Sequence, residues 1–407
     1  MLQKIKNLYH GVQALLGQTR YGFPSYKLDL IGVTGTDGKT TTSHLIYSVL
    51  QASGRKSALV STISARIGSD TIDTGLHVTT PDPWEVPALI HKAVEKGCDS
   101  LVMEVSSHGL DQNRVLGCRF ILGVYTTISH EHLDYHKTLD HYIQAKVKLL
   151  AMAETAIVNV DDAAWPTVRA LLPKGKRLIT YSMTKADVTP KKFPFTTALP
   201  GKYNQYNCLA AICVGKALGL PEAGIRKGIH SVKGISGRFE EIPNTKGFRI
   251  IVDFAHKPNA FKELFKAVHE KYPTGRKIVV FGAAGERDYL KRPMMGEIAA
   301  QYNNVVIITA EDPRSERVED ITETIAQGSL KAGAREVAKD NVKGEHVDRS
   351  IFRISDRQEA IKFALREVAR KGDVILFLGK GHEKSMCYGT IEYPWNEHSA
   401  IRNALGN

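Results

Sequence analysis

Leu28-Asp-Leu-Ile-Gly-Val-Thr-Gly-Thr-Asp-Gly-Lys-Thr-Thr-Thr-Ser43 is the stretch from which the fold can be read. It opens as a short apolar run, passes through glycines at Gly32, Gly35 and Gly38, and enters a helical pattern over 40–51. Closely spaced glycines let backbone N–H groups converge on phosphate oxygens, and the following helix N-terminus adds partial positive charge. In such a loop Lys39 bridges terminal phosphates and the Thr40 hydroxyl holds Mg²⁺. The widespread G-x-x-x-x-G-K-[ST] spacing is not met, because Val33 stands five residues before Gly38. An incidental Gly-rich turn is the bland alternative, and Gly-Lys-Thr between a strand and a helix weighs against it.

The same alternation continues outward. Strands are predicted over 28–33, 58–62, 100–105, 120–126 and 155–160, with helices over 40–51, 84–96, 139–153 and 204–218. The Lys-, Thr- and Pro-rich stretch 174–200 reads as strands and loops. A second series follows the polar, Gly-containing stretch 234–246, which reads as the hinge. Its strands fall over 249–254, 277–281, 305–309, 351–354 and 374–378, and its helices over 258–270, 293–301, 318–326 and 357–370. Strands alternating with helices imply parallel α/β architecture. The fold class is therefore α/β: a P-loop ATPase-type central domain with a mainly parallel sheet, then a Rossmann-like α/β domain. The boundaries are a short helix and linker over 1–27, the central domain over 28–237 and the last domain over 238–407.

The 407 residues are 43% apolar and 24% charged, which excludes disordered, collagen-like and coiled-coil classes. Lys and Arg number 55 against 43 Asp and Glu, for a net charge of +12. That excess favours anionic partners without choosing among them. Five scattered cysteines without C-x-x-C argue against a disulfide scaffold or zinc ribbon. No apolar run reaches a membrane span and no signal-peptide pattern opens the chain, so a cytoplasmic setting is expected. No basic run interleaved with aromatics suggests nucleic-acid binding.

The loop Gly32–Thr42 resembles that of the Mur ligase superfamily. Thr79-Thr-Pro81, Glu104-Val-Ser-Ser-His-Gly-Leu-Asp-Gln-Asn-Arg114 and His132-Leu-Asp-Tyr-His136 stand in the order and spacing of the MurE-type enzymes, the UDP-N-acetylmuramoyl-tripeptide synthetases. Gly201-Lys-Tyr-Asn-Gln-Tyr-Asn207, Gly237-Arg-Phe-Glu240, Asp253-Phe-Ala-His256, Gly285-Glu-Arg-Asp288, Asp312-Pro-Arg314 and Gly379-Lys-Gly-His-Glu383 extend the resemblance to nearly the whole chain. It implies an ATP-dependent carbon–nitrogen ligase of peptidoglycan synthesis that joins a diamino acid to a muramoyl-dipeptide acceptor through an acyl phosphate. The cofactors implied are ATP and Mg²⁺.

Residue by residue, the resemblance assigns ATP to Gly35, Thr36, Asp37, Gly38, Lys39, Thr40, Thr41, Asn207, Arg238 and Asp253. Metal goes to Thr40, Glu104 and His132, and to Lys146 if that side chain is carbamylated. Catalytic roles fall on Lys39, Arg238, Lys146 and His256. The bland reading of Lys146 is an exposed helical lysine, that of Glu104 a surface ion pair, and that of Asp253 a capping carboxylate. Among His130, His132, His136 and His141, most read as structural. Phe254 and Lys257 depart from the family's usual Tyr and Thr.

Thr79, Thr80, Ser106, Gln112 and Arg114 match acceptor-binding positions. Arg287, Asp312, Arg314, Gly379 and Glu383 match the amino-acid pocket, in which an arginine grips the distal carboxylate of meso-diaminopimelate. Asp312 stands where those enzymes have Asn, and a carboxylate there can hold a substrate ammonium or pair with Arg314. The family also carries a UDP-binding domain ahead of its phosphate loop, whereas 31 residues precede Gly32 here. Domains under about 40 residues rarely fold without staples, so the chain is expected to lack that domain. The acceptor would then be lipid-linked or free, or a partner chain would complete its site. The helical pattern over 4–16 is expected to pack on the central domain rather than touch membrane, its apolar face being small for membrane binding. The alternatives are a ligase for a non-peptidoglycan acid and a non-catalytic nucleotide-binding subunit.

Overall fold

The computed structural model describes residues 2–72, 79–129, 131–342 and 347–406, so His130 lies outside the described residues. Two compact units divide the chain, Met1–Lys233 and Gly234–Asn407.

The first unit begins with α1 (Leu2–Arg20), longer than its sequence pattern suggested. Then follow β1 (Asp29–Thr34), α2 (Lys39–Ala52), β2 (Ser57–Val60), β3 (Ala65–Ile67), β4 (Asp70–Ile72), α3 (Glu85–Glu95), β5 (Ser100–Glu104) and α4 (Ser107–Asp111). The remainder is β6 (Leu122–Tyr125), α5 (Leu133–His136), α6 (Leu139–Met152), β7 (Thr155–Asn159), α7 (Trp165–Leu171), β8 (Arg177–Tyr181), α8 (Lys202–Ala217) and α9 (Glu222–Ser231). The eight strands take the order β4-β3-β2-β5-β1-β6-β7-β8. All neighbours are parallel except β2–β3 and β3–β4, which form an antiparallel edge.

Both faces of this sheet are covered, as continuous apolar strands require. Ile31 and Val33 of β1 pack with Leu45, Ile46 and Val49 of α2 and with the apolar residues of α8. Leu30 joins Val86 and Ile90 of α3 on the opposite side. Each such side chain, fully buried, contributes about 1.5–3 kcal/mol. The chain winds outward from β1 in both directions, through β5 on one side and β6 on the other. The loops leaving β1, β5 and β6 therefore share one edge, the place where open parallel sheets bind ligands.

The second unit contains β9 (Glu240–Glu241), β10 (Arg249–Asp253), α10 (Pro258–Lys271), β11 (Lys277–Phe281), α11 (Lys291–Tyr302), β12 (Val305–Ile308), α12 (Val318–Lys331) and β13 (Arg335–Glu336). It closes with β14 (Ser350–Arg353), α13 (Arg357–Phe363), β15 (Val374–Leu378), β16 (Ser385–Tyr388), β17 (Ile391–Pro394) and α14 (Glu397–Leu405). Its sheet order is β13-β14-β12-β11-β15-β10-β9, parallel but for β9. The helix expected over 357–370 ends as α-helix at Phe363 and widens into a π-turn over Ala364–Val368. The hairpin β16–β17 and helix α14 had no counterpart in the sequence reading.

All five cysteines are buried and unpaired by disulfides. Among the described residues no helix is long and apolar enough to cross a membrane.

Candidate active-site residues in each unit

In the first unit the phosphate-loop motif occupies the turn from β1 into α2. Gly38 caps α2 at φ 81°, a conformation that favours glycine. A Cβ there would collide with Asn207 Oδ1, and one at Gly35 would strike the Thr126 hydroxyl. Thr126 Oγ1 in turn donates to the Asp37 carbonyl (2.7 Å). The loop is thus held against the end of β6. Lys39 Nζ curls back to the Gly35 and Thr36 carbonyls, 3.0 Å from each. Thr36 Oγ1 meets Tyr142 OH at 2.9 Å and accepts the Ser129 N–H at 3.0 Å. Thr41 is buried in the first turn of α2.

Glu104, the last residue of β5, is fully buried. It is no surface ion pair: Oε2 accepts the Thr40 hydroxyl (3.1 Å) and the Thr62 hydroxyl (3.0 Å), and Oε1 accepts Thr62 N–H. A buried carboxylate with a hydroxyl beside it, at the mouth of a phosphate loop, is a hard-oxygen pair suited to Mg²⁺. Lys146 is buried rather than exposed, donating to the Gly35 carbonyl at 2.7 Å and lying 4.6 Å from the Tyr142 ring centre. His132, at φ 54°, lies 3.5 Å from Glu131 and stacks edge-on to His108. Asn207 Oδ1 accepts the Thr42 hydroxyl (3.1 Å) and its amide donates to Asn204 (3.0 Å), tying α8 to α2.

The acceptor-matching residues form one hydrogen-bonded set. Thr80 Oγ1 accepts Ser106 N–H (2.8 Å) and lies 3.0 Å from Ser106 Oγ, which caps α4 through Gly109 N–H. Arg114 donates to the Thr80 carbonyl and to Gln112 Oε1, both at 2.9 Å, and pairs with Asp82 at 3.2 Å. Gln112 reaches Tyr135 OH, whose hydroxyl burial pushes up to about 12. Thr79 adjoins this set in the chain and is half-buried.

In the second unit Asp253 caps two turns, accepting Phe239 N–H (2.6 Å) and Ala255 N–H (2.7 Å). Arg238 lies over the Phe254 ring at 4.5 Å, and His256 Nδ1 lies 2.8 Å from the Phe254 carbonyl. Phe254, the departure from Tyr, therefore supplies the face on which Arg238 rests.

The amino-acid-pocket residues come together at the carboxyl ends of β11, β12 and β15. Arg314 Nη1 donates to the Gly285 carbonyl (3.1 Å), and Gly285 N–H returns a bond to the Asp312 carbonyl (3.0 Å), so the loop carrying exposed Arg287 lies along that of Arg314. Asp312 does not pair with Arg314. Its Oδ1 accepts Lys380 Nζ (2.8 Å) and Cys387 N–H (2.9 Å), while Lys380 also reaches Glu383 (2.7 Å). Burial would lower the Lys380 pKa, but Glu383 and Asp312 hold it above the usual lysine value.

Sequence reasoning overlooked three groups here. Glu311 is buried against Gly379, its Oε2 has no hydrogen-bond partner, and burial raises its pKa to about 7 against the pull of Lys291 and Arg357. Arg357 and Glu397 form a fully buried bidentate pair (3.0 and 2.6 Å), and Arg357 also clamps the Ala310 and Leu378 carbonyls (3.2 and 2.8 Å). Lys380 is the third. It lay inside the quoted Gly379–Glu383 motif, and Glu311 directly precedes Asp312-Pro-Arg314, whereas Arg357 and Glu397 stand 40 positions apart.

Residues 33–215 match the family model of the Mur ligase middle domain, and residues 237–381 that of the Mur ligase glutamate ligase domain. The chain is 38% identical to a UDP-N-acetylmuramoyl-L-alanyl-D-glutamate–2,6-diaminopimelate ligase of Geobacter metallireducens, over 95% of this chain and 80% of that one. It is 37% identical to a UDP-N-acetylmuramyl-tripeptide synthetase of a Roseiflexus species, over 96% and 81%. A solved diaminopimelate ligase of the same name as the Geobacter protein superposes with TM-score 0.63 at 28% identity, over 97% of this chain and 83% of that one. The Mycobacterium tuberculosis folylpolyglutamate synthase, solved with ADP and AMPPCP, shares the fold at TM-score 0.69 and 16% identity, over 97% and 95%.

Proposed function

This chain belongs to the Mur ligase family, and on that premise we propose that it joins meso-diaminopimelate to the D-glutamyl γ-carboxylate of a UDP-N-acetylmuramoyl dipeptide, using ATP. The names of its relatives support the UDP carrier in place of the lipid-linked, free or partner-completed acceptor expected from the sequence. The observation that carries the reading is the meeting of Thr40 and Glu104 beneath the Gly35–Gly38 loop, with Lys39 folded over it. The loop's close-packed glycines, its lysine and the helix N-terminus fit a nucleoside triphosphate. Thr40 and Glu104 fit Mg²⁺, which would supply charge neutralisation for the phosphates.

The chemistry runs in two displacements. The acceptor carboxylate oxygen attacks the γ-phosphorus, ADP leaves, and an acyl phosphate forms. The amine nitrogen then attacks the acyl carbon, the C–O bond to phosphate breaks, and the nitrogen releases a proton. Lys39 offsets negative charge at the phosphoryl group in the first step. Thr80, Ser106 and Arg114 hold the acceptor's anionic end, Arg114 being pre-oriented by Thr80 and Gln112.

In the second unit Arg314 and Arg287 take the distal carboxylate of the amino acid, and Glu383 and Gly379 its amino end. Asp312 supports them through Lys380 rather than facing substrate. Arg238, Asp253 and His256 are the groups of this unit assigned to the nucleotide, and Asn207 joins the Gly35–Thr41 loop in that role in the first unit. His132 and a carbamylated Lys146 complete the metal-binding assignment. Mass spectrometry of the intact chain with and without added bicarbonate tests the modification. A cytoplasmic setting supplies both ATP and the UDP-linked acceptor.

The deciding experiment measures amino-acid-dependent phosphate release with the UDP-linked dipeptide, comparing diaminopimelate, lysine and ornithine. Condensation with diaminopimelate is expected. Equal or better turnover with lysine rejects the role given to Arg314, and no product with any of the three rejects the acceptor.

A further inference from the structure

Helix α1 is mounted with its apolar side outward. Ile5, Leu8, Tyr9, Val12, Leu15 and Leu16 recur at helical spacing and are 44 to 69% exposed. The opposite side faces the first unit with small and polar residues. Ala14 is fully buried, and Gly11 and Gly17 approach Leu116 and Pro87 so closely that added Cβ atoms would touch them (3.4 and 2.8 Å). Gln18, also buried, donates to Cys118 Sγ (3.1 Å), Asn7 donates to Asp111 (2.9 Å), and Asn113 donates to the Asn7 carbonyl (3.2 Å). These bonds and Gly17 fix which side is in. Rotating the helix to bury its large side chains would break the bonds and force bulk into the space at Gly17, where even a Cβ would stand 2.8 Å from Pro87. The expected packing on the central domain is therefore present, yet it leaves 44 to 69% of each side chain in the apolar stripe exposed, a stripe larger than the sequence reading allowed. Leu116, 37% exposed beside Gly11, extends the stripe onto the body.

Single exposed leucines are ordinary, but a contiguous apolar stripe marks a docking surface. Its charge selects the occupant. Residues 2–20 contain Lys4, Lys6 and Arg20 and no Asp or Glu, in a chain of net charge +12. Two copies joined stripe to stripe would bring like charges together whichever way the helices ran. An anionic, apolar and deformable surface satisfies both the cations and the convex ridge, which at about 1.5 Å per residue lies some 28 Å along it. We propose that α1 docks the protein, parallel to the surface, on an anionic phospholipid bilayer. The proposal is independent of the substrate assigned above.

Sedimentation of the full chain with vesicles tests it, using phosphatidylcholine alone and phosphatidylcholine with one-third phosphatidylglycerol. Binding to the anionic vesicles is expected to be at least tenfold tighter than to the neutral ones and to weaken as salt rises. Leu8→Glu with Leu15→Glu should abolish it. Because both positions are exposed, that variant should keep its circular dichroism and its thermal transition. Lys6→Glu, which leaves the stripe intact, should weaken binding severalfold. Failure to bind, equal binding to both vesicles, or unchanged binding by the double variant overturns the proposal. So does a dimer in sedimentation velocity that the double variant dissolves while no vesicle binding is seen, since the stripe would then belong to a second copy.

Discussion

Replacing Glu311 by Gln should change how the stability of the second unit depends on pH. The folded state raises this carboxyl from 4.5 to about 7, chiefly by burial, so folding favours its protonated form. The proton's contribution is complete below pH 4.5 and is lost as pH rises through about 7. At roughly 1.4 kcal/mol per pH unit between the two values, the full loss amounts to about 3.5 kcal/mol, of which about 3 kcal/mol falls between pH 4.5 and 8. Gln keeps the shape of the protonated acid and cannot titrate. Urea unfolding at closely spaced pH values between 4.5 and 8, followed by Trp395 fluorescence after Trp84→Phe and Trp165→Phe, reads the second unit alone, because these are the chain's three tryptophans. His398, raised by its bond to Glu240, titrates in wild type and variant alike and cancels in the difference. The wild-type free energy should fall by about 3 kcal/mol relative to the variant across this range. Parallel curves would show that Glu311 stays in one protonation state and that its burial is not what the structure depicts.

Gly379→Ala places a methyl group against the Glu311 carboxylate at a φ of 97°. It should cost the second unit about 1–3 kcal/mol in the same melts and raise the KM for the amino acid. Arg357→Met strands Glu397 in the core and should destabilise by about 3–5 kcal/mol, whereas adding Glu397→Leu should recover most of that in a double-mutant cycle. Glu104→Gln keeps the Thr40 and Thr62 bonds but removes the charge. The Mg²⁺ concentration for half-maximal phosphate release should rise at least tenfold, with unchanged circular dichroism.

The alternating α/β order was legible because each parallel strand is a short apolar run buried on both faces, as Ile31 and Leu30 of β1 show. The antiparallel edge β3–β4 and the hairpin β16–β17 were not. Each is only three or four residues long, and β4 and β17 bury nothing fully, so no sustained period marks them. Lys39, Thr40 and Glu104 could be singled out because each sits in a local motif, and the structure brings Thr40 and Glu104 together. What the motifs could not tell was the internal spending of polar groups. Asp312 is neutralised by a lysine 68 positions away, and Arg357 meets Glu397 at a separation of 40. Neither pairing leaves a trace in local spacing. The outward stripe of α1 was missed for a related reason, since periodicity reveals that a helix has an apolar face but not which way it points.

The buried cysteines give the molecule a built-in clock. Only a thiolate reacts with alkylating reagents, and burial pushes the thiols of Cys118 and Cys208 up to about 12. Modification must therefore wait for an opening of the surrounding structure. Cys98, Cys118, Cys208 and Cys213 time such openings in the first unit, the last two along a single helix. Cys387 lies in β16 with its backbone tied to Asp312. Its labelling rate would time the lifting of that hairpin from the loop bearing Arg314, and an amino acid seated there should slow this one clock while leaving the other four running.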